Sequence, residues 1–230
     1  MSSICIIPAR GGSKRIPDKN IRDFSGRPVI SYSIQAALDS SLFDQVIVST
    51  DSPQIAEVAR REGAESIAGR PKNLSTDEVS LADVLKHEAS SRINQGIENI
   101  CFLLATAPFL SAARISEGYR VMEEGKWDYV IAAAEFSAPV LRAFEQLPDG
   151  GTKMIFEDAY YQHSNEMASV YHDAGQMYWG KTEKWANPTP GFFGKKTTLI
   201  EVPRLEAQDI DTEEDWKAAE LLFELLRIRK

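Results

Sequence analysis

Short apolar runs along this chain alternate with segments whose apolar residues recur every three to four positions. Ile4–Pro8, Gln45–Ser49, Glu65–Ala68, Ile100–Leu104 and Tyr129–Ala134 read as strands. Pro28–Leu38, Pro53–Glu62, Val79–Asn94 and Ala112–Glu124 carry helical periodicity between them. Ser52-Pro53 offers an N-cap followed by a first-turn proline, and Pro28 suits a first turn too. Gly63, Gly96 and Gly125 stand where helices should stop. Strands separated by helices spell βαβ units, and wholly apolar Ile100–Leu104 predicts a central strand covered on both faces. The expected fold class is α/β with a mostly parallel sheet. Its 230 residues fit one domain spanning 1–230.

The rhythm breaks between Glu135 and Asp173. Val140–Gln146 and Lys153–Phe156 are short alternating pieces around a Pro148-Asp149-Gly150-Gly151 turn, followed by Tyr160-Tyr161. This predicts a β-rich excursion at about 135–175, a hairpin arm with little core of its own. Such an arm is often stabilised by a second subunit. Regular structure resumes at Gln176–Gly180 and Thr198–Val202 and ends in an amphipathic helix over Thr212–Ile228.

Composition narrows the partners. The chain carries net charge −8, which argues against nucleic acid. No apolar run approaches the roughly 20 residues of a membrane span, and the N-terminus enters a strand without a signal-peptide core. A cytoplasmic compartment is expected. Cys5 and Cys101 lie in apolar strand runs and read as buried reduced thiols.

Against that acidic background, one early loop concentrates cations. Arg10-Gly11-Gly12-Ser13-Lys14-Arg15 follows the first strand, with Lys19-Asn20 close behind. It matches neither the P-loop nor the dinucleotide fingerprint. Glycines and Ser13 would let backbone N–H groups approach a polyphosphate that Arg10, Lys14, Arg15 and Lys19 neutralise, at the strand's carboxyl end where α/β ligands bind. The second cluster is Asp209-Ile210-Asp211-Thr212 before the last helix. Two carboxylates two residues apart can meet one cation, because Mg²⁺ takes one or two protein carboxylates plus phosphates. Thr212 and Asp215 also approximate a capping box, and both roles can hold at once. Ser49-Thr50-Asp51-Ser52 reads chiefly as the cap of the next helix. Arg70, beside Pro71, could reach a base or a phosphate, or be a surface arginine. For His172, substrate hydrogen bonding, a structural role and general-base chemistry all stay open.

With these residues in view, the chain resembles the CMP-nonulosonate (CMP-sialic-acid-type) cytidylyltransferases. The resemblance rests on Pro8 to Pro17 with Lys19-Asn20, Val48-Ser49-Thr50-Asp51, Thr106-Ala107-Pro108, Phe192-Phe193 and Asp209-Ile210-Asp211-Thr212, in the family's order. It implies a nucleotide-diphospho-sugar transferase sheet with a β-rich dimerisation arm, and a homodimer. The implied reaction is CTP plus a nine-carbon 2-keto sugar acid giving a CMP-sugar and pyrophosphate, for surface glycan or flagellin glycosylation. It implies nucleotide binding by Ala9, Arg10, Gly12, Ser13, Arg15, Asn20 and Arg70, and catalysis by Arg10, Lys19 and Asp211. Mg²⁺ would sit on Asp209 and Asp211, and the sugar near His172, Gln176, Phe192 and Phe193. Where sialic-acid enzymes read Leu-Leu-Gln-Pro-Thr-Ser-Pro, this chain reads Leu103-Leu104-Ala105-Thr106-Ala107-Pro108 and lacks the glutamine. That run, with Tyr171–Gly180, looks most like the pseudaminic acid branch. N-acetylneuraminic and legionaminic acid remain alternative sugars. A hexose 1-phosphate nucleotidyltransferase and a non-catalytic nucleotide-binding module remain rival readings.

Overall fold

The structure is a computed structural model describing residues 2–68, 70–76, 78–163, 166–188 and 192–228. Gly69 and Asp77, which flank the Arg70 loop, lie outside the described residues. The chain opens with β1 (Ser3–Pro8), two short strands β2 (Asp23–Phe24) and β3 (Arg27–Pro28), then α1 (Val29–Ser40) and β4 (Gln45–Thr50). Next come α2 (Pro53–Arg61), β5 (Glu65–Ala68), α3 (Leu81–Ser90), β6 (Asn99–Leu103), α4 (Ala112–Glu123) and β7 (Tyr129–Glu135). A small hairpin, β8 (Phe144–Gln146) and β9 (Thr152–Met154), precedes β10 (Tyr171–Lys181), α5 (Thr182–Ala186), β11 (Thr197–Glu201) and α6 (Glu213–Ile228).

Seven strands form one sheet in the order β11-β7-β10-β6-β1-β4-β5. Neighbours run parallel except at β10, which is antiparallel to both β6 and β7. The reversal follows from the arm. The chain leaves the carboxyl end of β7, makes its excursion, and re-enters with no helical crossover to turn it parallel. Alternate residues of β1 divide the core: Cys5 and Ile7 pack with α1, α2 and α4, while Ile4 and Ile6 face α3 and α5. All five residues of β6 are buried, as the unbroken apolar run predicted. Cys5 and Cys101 are free, buried and opposite one another across β1 and β6, and burial pushes both thiols up. No helix among the described residues is long and apolar enough to cross a membrane.

Three expectations need correction. Pro28 does not open α1; it precedes the helix in an extended conformation, paired with Asp23 in β3. The third helix begins at Leu81 rather than Val79, because Ser80 caps it by accepting from the Asp83 amide at 3.2 Å. The arm is less β-rich than its pattern suggests. Val140–Arg142 is a 3-10 turn, and among the described residues between β7 and β10 the paired segments are Phe144–Gln146 and Thr152–Met154. Within one chain the arm has little to pack on: Phe144, Tyr160 and Tyr161 are 67%, 64% and 87% exposed.

Candidate active site

The carboxyl ends of β1, β5 and β6 and the segment before α6 enclose a cavity of about 620 Å³. Arg10, Ser13, Lys14, Arg15, Lys19 and Asn20 line one side, Asp209 and Asp211 another, and Arg70 the floor. Chain positions almost two hundred residues apart therefore meet in one site.

An apolar plug makes that meeting specific. Ile16, in the middle of the polar loop, is fully buried with Phe24, Val29, Ile210, Trp216 and Ala219. Burying such a side chain is worth roughly 1.5–3 kcal/mol, enough to tether a loop that holds no more than a 3-10 turn at Lys19–Ile21. Polar contacts then set the orientation. Lys19 Nζ donates to the Ile210 carbonyl at 2.6 Å and to Asp211 Oδ1 at 3.2 Å. Arg15 Nη2 reaches the same Asp211 oxygen at 2.9 Å. Arg22 pairs with Glu213 at 2.5 Å and lies 4.6 Å over the Trp216 ring. Asn20 Nδ2 donates to the Arg10 carbonyl at 2.9 Å, and the buried Ala9 donates its amide to Ser49 O at 2.9 Å.

Gly11 is favoured by close approach: a Cβ there would lie 3.0 Å from Ser52 Cβ, which would have to give by a few tenths of an ångström. The loop offers fewer free amides than the sequence led us to expect. The Gly11 amide donates to Asp51 Oδ1 at 2.9 Å and that of Ser13 to Gly11 O at 3.2 Å. Gly12 faces open space. The loop thus presents more to the cavity through its side-chain cations than through its backbone amides. Asp51 does more than precede a capping residue, because it pins the loop, while Ser52 Oγ caps α2 by accepting from the Ile55 amide at 3.4 Å.

Before α6, capping and cleft chemistry are divided between different carboxylates. Asp215 Oδ2 accepts from the Thr212 and Asp211 amides at 2.7 and 3.1 Å, and Thr212 Oγ1 accepts from the Asp215 amide at 3.2 Å. Asp209 and Asp211 are therefore left to face the cavity. The surrounding protein, and then the charge of Asp211, raise the Asp209 carboxyl above its ordinary value, with Lys19 pulling the other way. Gly175, at φ +63° in the irregular part of β10, brings that strand against the Asp209 carboxyl. On the floor, burial lowers the Arg70 guanidinium, Glu88 and Asp51 oppose the shift, and Arg10 adds to it.

The residues expected to read the sugar lie elsewhere. None of His172, Gln176, Phe192 and Phe193 lines this cavity. His172 Nδ1 lies 2.9 Å from the Asp173 carbonyl, and its ring meets Phe136 at the root of the arm at 5.0 Å. Gln176 is buried and donates to the Glu206 carbonyl at 2.5 Å, tying β10 to the segment that leads into Asp209. Phe192 stacks on Trp185 at 5.3 Å, and Phe193 beside it is exposed. Sequence reasoning missed the apolar wall of Leu74, Val79, Leu81 and Val84, which faces the cations. Leu74 is an isolated apolar residue in a polar stretch, while Val79, Leu81 and Val84 sit in a run whose period signals a helix and not a ligand wall.

Comparison with known proteins shows the family. The cytidylyltransferase family model matches residues 4–214. A pseudaminic acid cytidylyltransferase of Campylobacter jejuni is 39% identical over 98% of this chain and 97% of its own length. An N-acylneuraminate cytidylyltransferase of Escherichia coli is 31% identical over 94% of this chain but only 51% of that protein. Among solved structures, CMP:2-keto-3-deoxy-manno-octonic acid synthetase complexed with CTP superposes with a TM-score of 0.72 at 17% identity, covering 98% and 100% of the two chains. A likeness at that identity speaks for the fold, a nucleotidyltransferase sheet. With the family model spanning 4–214 and a relative 39% identical along nearly its whole length, this chain belongs to the cytidylyltransferase family.

Proposed function

We propose that this chain activates pseudaminic acid, converting CTP and the sugar acid to CMP-pseudaminic acid and pyrophosphate. The observation that carries the reading is the 39% identity with a pseudaminic acid cytidylyltransferase over 98% of the chain. The cavity suits the reaction. The anomeric hydroxyl attacks the α-phosphorus of CTP, and pyrophosphate leaves with the bonding electrons. Little covalent chemistry falls to the protein, so positioning and charge neutralisation dominate. Arg10 and Lys19 stabilise charge on the α-phosphate and the leaving group, Ser13, Arg15 and Asn20 hold the outer phosphates, and Arg70 holds the nucleotide from the floor. The apolar wall from Leu74 to Val84 offers the cytosine ring a dry face. Asp211 is the carboxylate we assign to take the hydroxyl proton, once phosphates draw Arg15 and Lys19 away from it.

Asp209 and Asp211 suit a hard dication. Both are oxygen donors, and the repulsion that raises the Asp209 carboxyl is what a cation would relieve. Among the described residues no group of three His, Cys, Asp or Glu side chains could hold a metal, so substrate oxygens would complete the shell. Mg²⁺ held there would supply Lewis-acid charge neutralisation and acidify the attacking hydroxyl. A homodimer, formed through the exposed aromatic residues of the arm, would bring a partner's surface to the region of His172. A cytoplasmic location fits the demand for CTP and the free thiols.

The test is pyrophosphate release with CTP and, side by side, pseudaminate, legionaminate and N-acetylneuraminate. Turnover highest with pseudaminate is expected. Preference for either other sugar overturns the substrate assignment, and a preference for UTP, GTP or dTTP overturns the nucleotide.

A further inference from the structure

Beneath the cavity floor runs a line of buried polar contacts that the reaction itself does not use. Arg70 lines the cavity but is only 7% exposed. Its Nε donates to Ser49 Oγ at 3.2 Å, and Nη2 donates to the Ser49 carbonyl. Ser49 Oγ, on β4, donates in turn to Glu88 Oε1 on α3. The other Glu88 oxygen accepts from Arg92 Nη1 at 2.7 Å, one helical turn on. Ser49, Glu88 and Arg92 are all buried.

A buried ion pair is a poor stability device, because desolvating two charges offsets their attraction. An exposed pair at the same helical spacing would serve α3 as well. What burial adds here is a fixed geometry. One Glu88 oxygen is held by Arg92, and the other takes the single Ser49 hydroxyl proton, which leaves the lone pairs of Ser49 Oγ for Arg70 Nε. The guanidinium is thereby held by two bonds to Ser49 where it lines the cavity with Arg10. Glu88, and after it Asp51, partly offset the cost of burying that charge.

We infer that Ser49 and Glu88 are positioning residues, which hold the Arg70 guanidinium in its nucleotide-binding orientation before CTP arrives. The inference rests on the reading of Arg70 as a nucleotide ligand. Pre-ordering one rotamer-rich side chain is worth about a three- to tenfold change in affinity. Ser49→Ala should therefore weaken CTP binding by about that factor, while kcat and the KM for the sugar stay near wild type. Glu88→Gln keeps an acceptor for Ser49 and should be milder than Glu88→Ala.

The experiment is calorimetric titration of CTP into wild type, Ser49→Ala, Arg70→Ala and the double variant, with steady-state kinetics in parallel. Expected is a weaker Kd in each single variant, and no additional loss when Ser49→Ala is placed on Arg70→Ala. An equal Ser49→Ala penalty in both backgrounds means the serine acts on the fold, and overturns the inference. A raised Kd in Arg70→Ala beside an unchanged one in Ser49→Ala overturns the inference alone. An unchanged Kd in Arg70→Ala removes Arg70 from the nucleotide site, and the inference with it. Should Ser49→Ala fail to fold, Glu88→Gln against Glu88→Ala carries the same comparison, and equal effects of those two overturn it.

Discussion

Lys19→Met separates the two tasks that one ammonium performs here. Methionine keeps most of the stem's length and packing but removes the charge and all three donors. In the free protein, Lys19 Nζ bonds the Ile210 carbonyl at 2.6 Å and Asp211 at 3.2 Å, and its side chain is 18% exposed. A bond to a neutral carbonyl contributes about 1 kcal/mol, and leaving that carbonyl without its donor costs at the upper end of that range. The Asp211 side chain is 40% exposed and also held by Arg15, so solvent screening discounts the ionic contact to at most about 1 kcal/mol. The sum is about 2 kcal/mol. At about 2–4 °C per kcal/mol for a chain of this length, the thermal midpoint should fall by roughly 4–8 °C. Turnover should fall further, by roughly 10²–10³, because the lost charge faces phosphates in the transition state. Thermal unfolding by circular dichroism reads the first effect, and pyrophosphate release at saturating CTP and sugar reads the second. An unchanged midpoint refutes the clamp between the loop and the C-terminal segment. Turnover within about twofold of wild type, at a lowered midpoint, refutes the catalytic role and leaves Lys19 a structural tie.

Two further predictions follow from charge and exposure. Asp209→Asn should stabilise the free protein at neutral pH while impairing turnover. The folded-state carboxyl is raised above its ordinary value of 3.8, so its ionisation opposes folding. The advantage of asparagine should therefore vanish below that ordinary value and reach its full extent above the raised one; denaturant midpoints across pH check this, and an advantage that grows toward acid contradicts the assigned cause. Phe144→Glu combined with Tyr161→Glu should turn the proposed dimer into a monomer in sedimentation velocity. Each buried aromatic anchor is worth about 2 kcal/mol or more, and a wild-type chain that sediments as a monomer removes the premise.

Periodicity alone located β1, β4, β5, β6 and β7 and the helices between them within a residue or two, except the end of α3, which stops at Ser90 and not at Asn94, because each buries one face or both and its pattern records which. It located the arm as a place where periodicity stops, but not the arm's internal structure. The described residues between 136 and 170 bury little, and a chain with little to bury carries little pattern. The five-residue α5 was missed for the same reason: it is too short to show a helical period.

The sequence by itself determined the chemistry available to this protein: a cationic glycine-bearing loop after the first strand, a pair of carboxylates before the last helix, and a strong family resemblance joining them. Such features are local, and local spacing records them. Only the tertiary structure decided how they combine. Ile16 and Ile210 share one core cluster, and that burial brings Lys19 and Arg15 onto Asp211 from across the chain. It also decided that the Gly11 and Ser13 amides are engaged within the loop's own surroundings, and that Gln176 ties β10 to the segment before Asp209 rather than lining the cavity. Finally, it placed Glu88, silent in the sequence, beneath Arg70. Apart from the Ser13–Gly11 bond, these are contacts between residues far apart in the chain, set by which apolar faces pack together, and no local pattern encodes them.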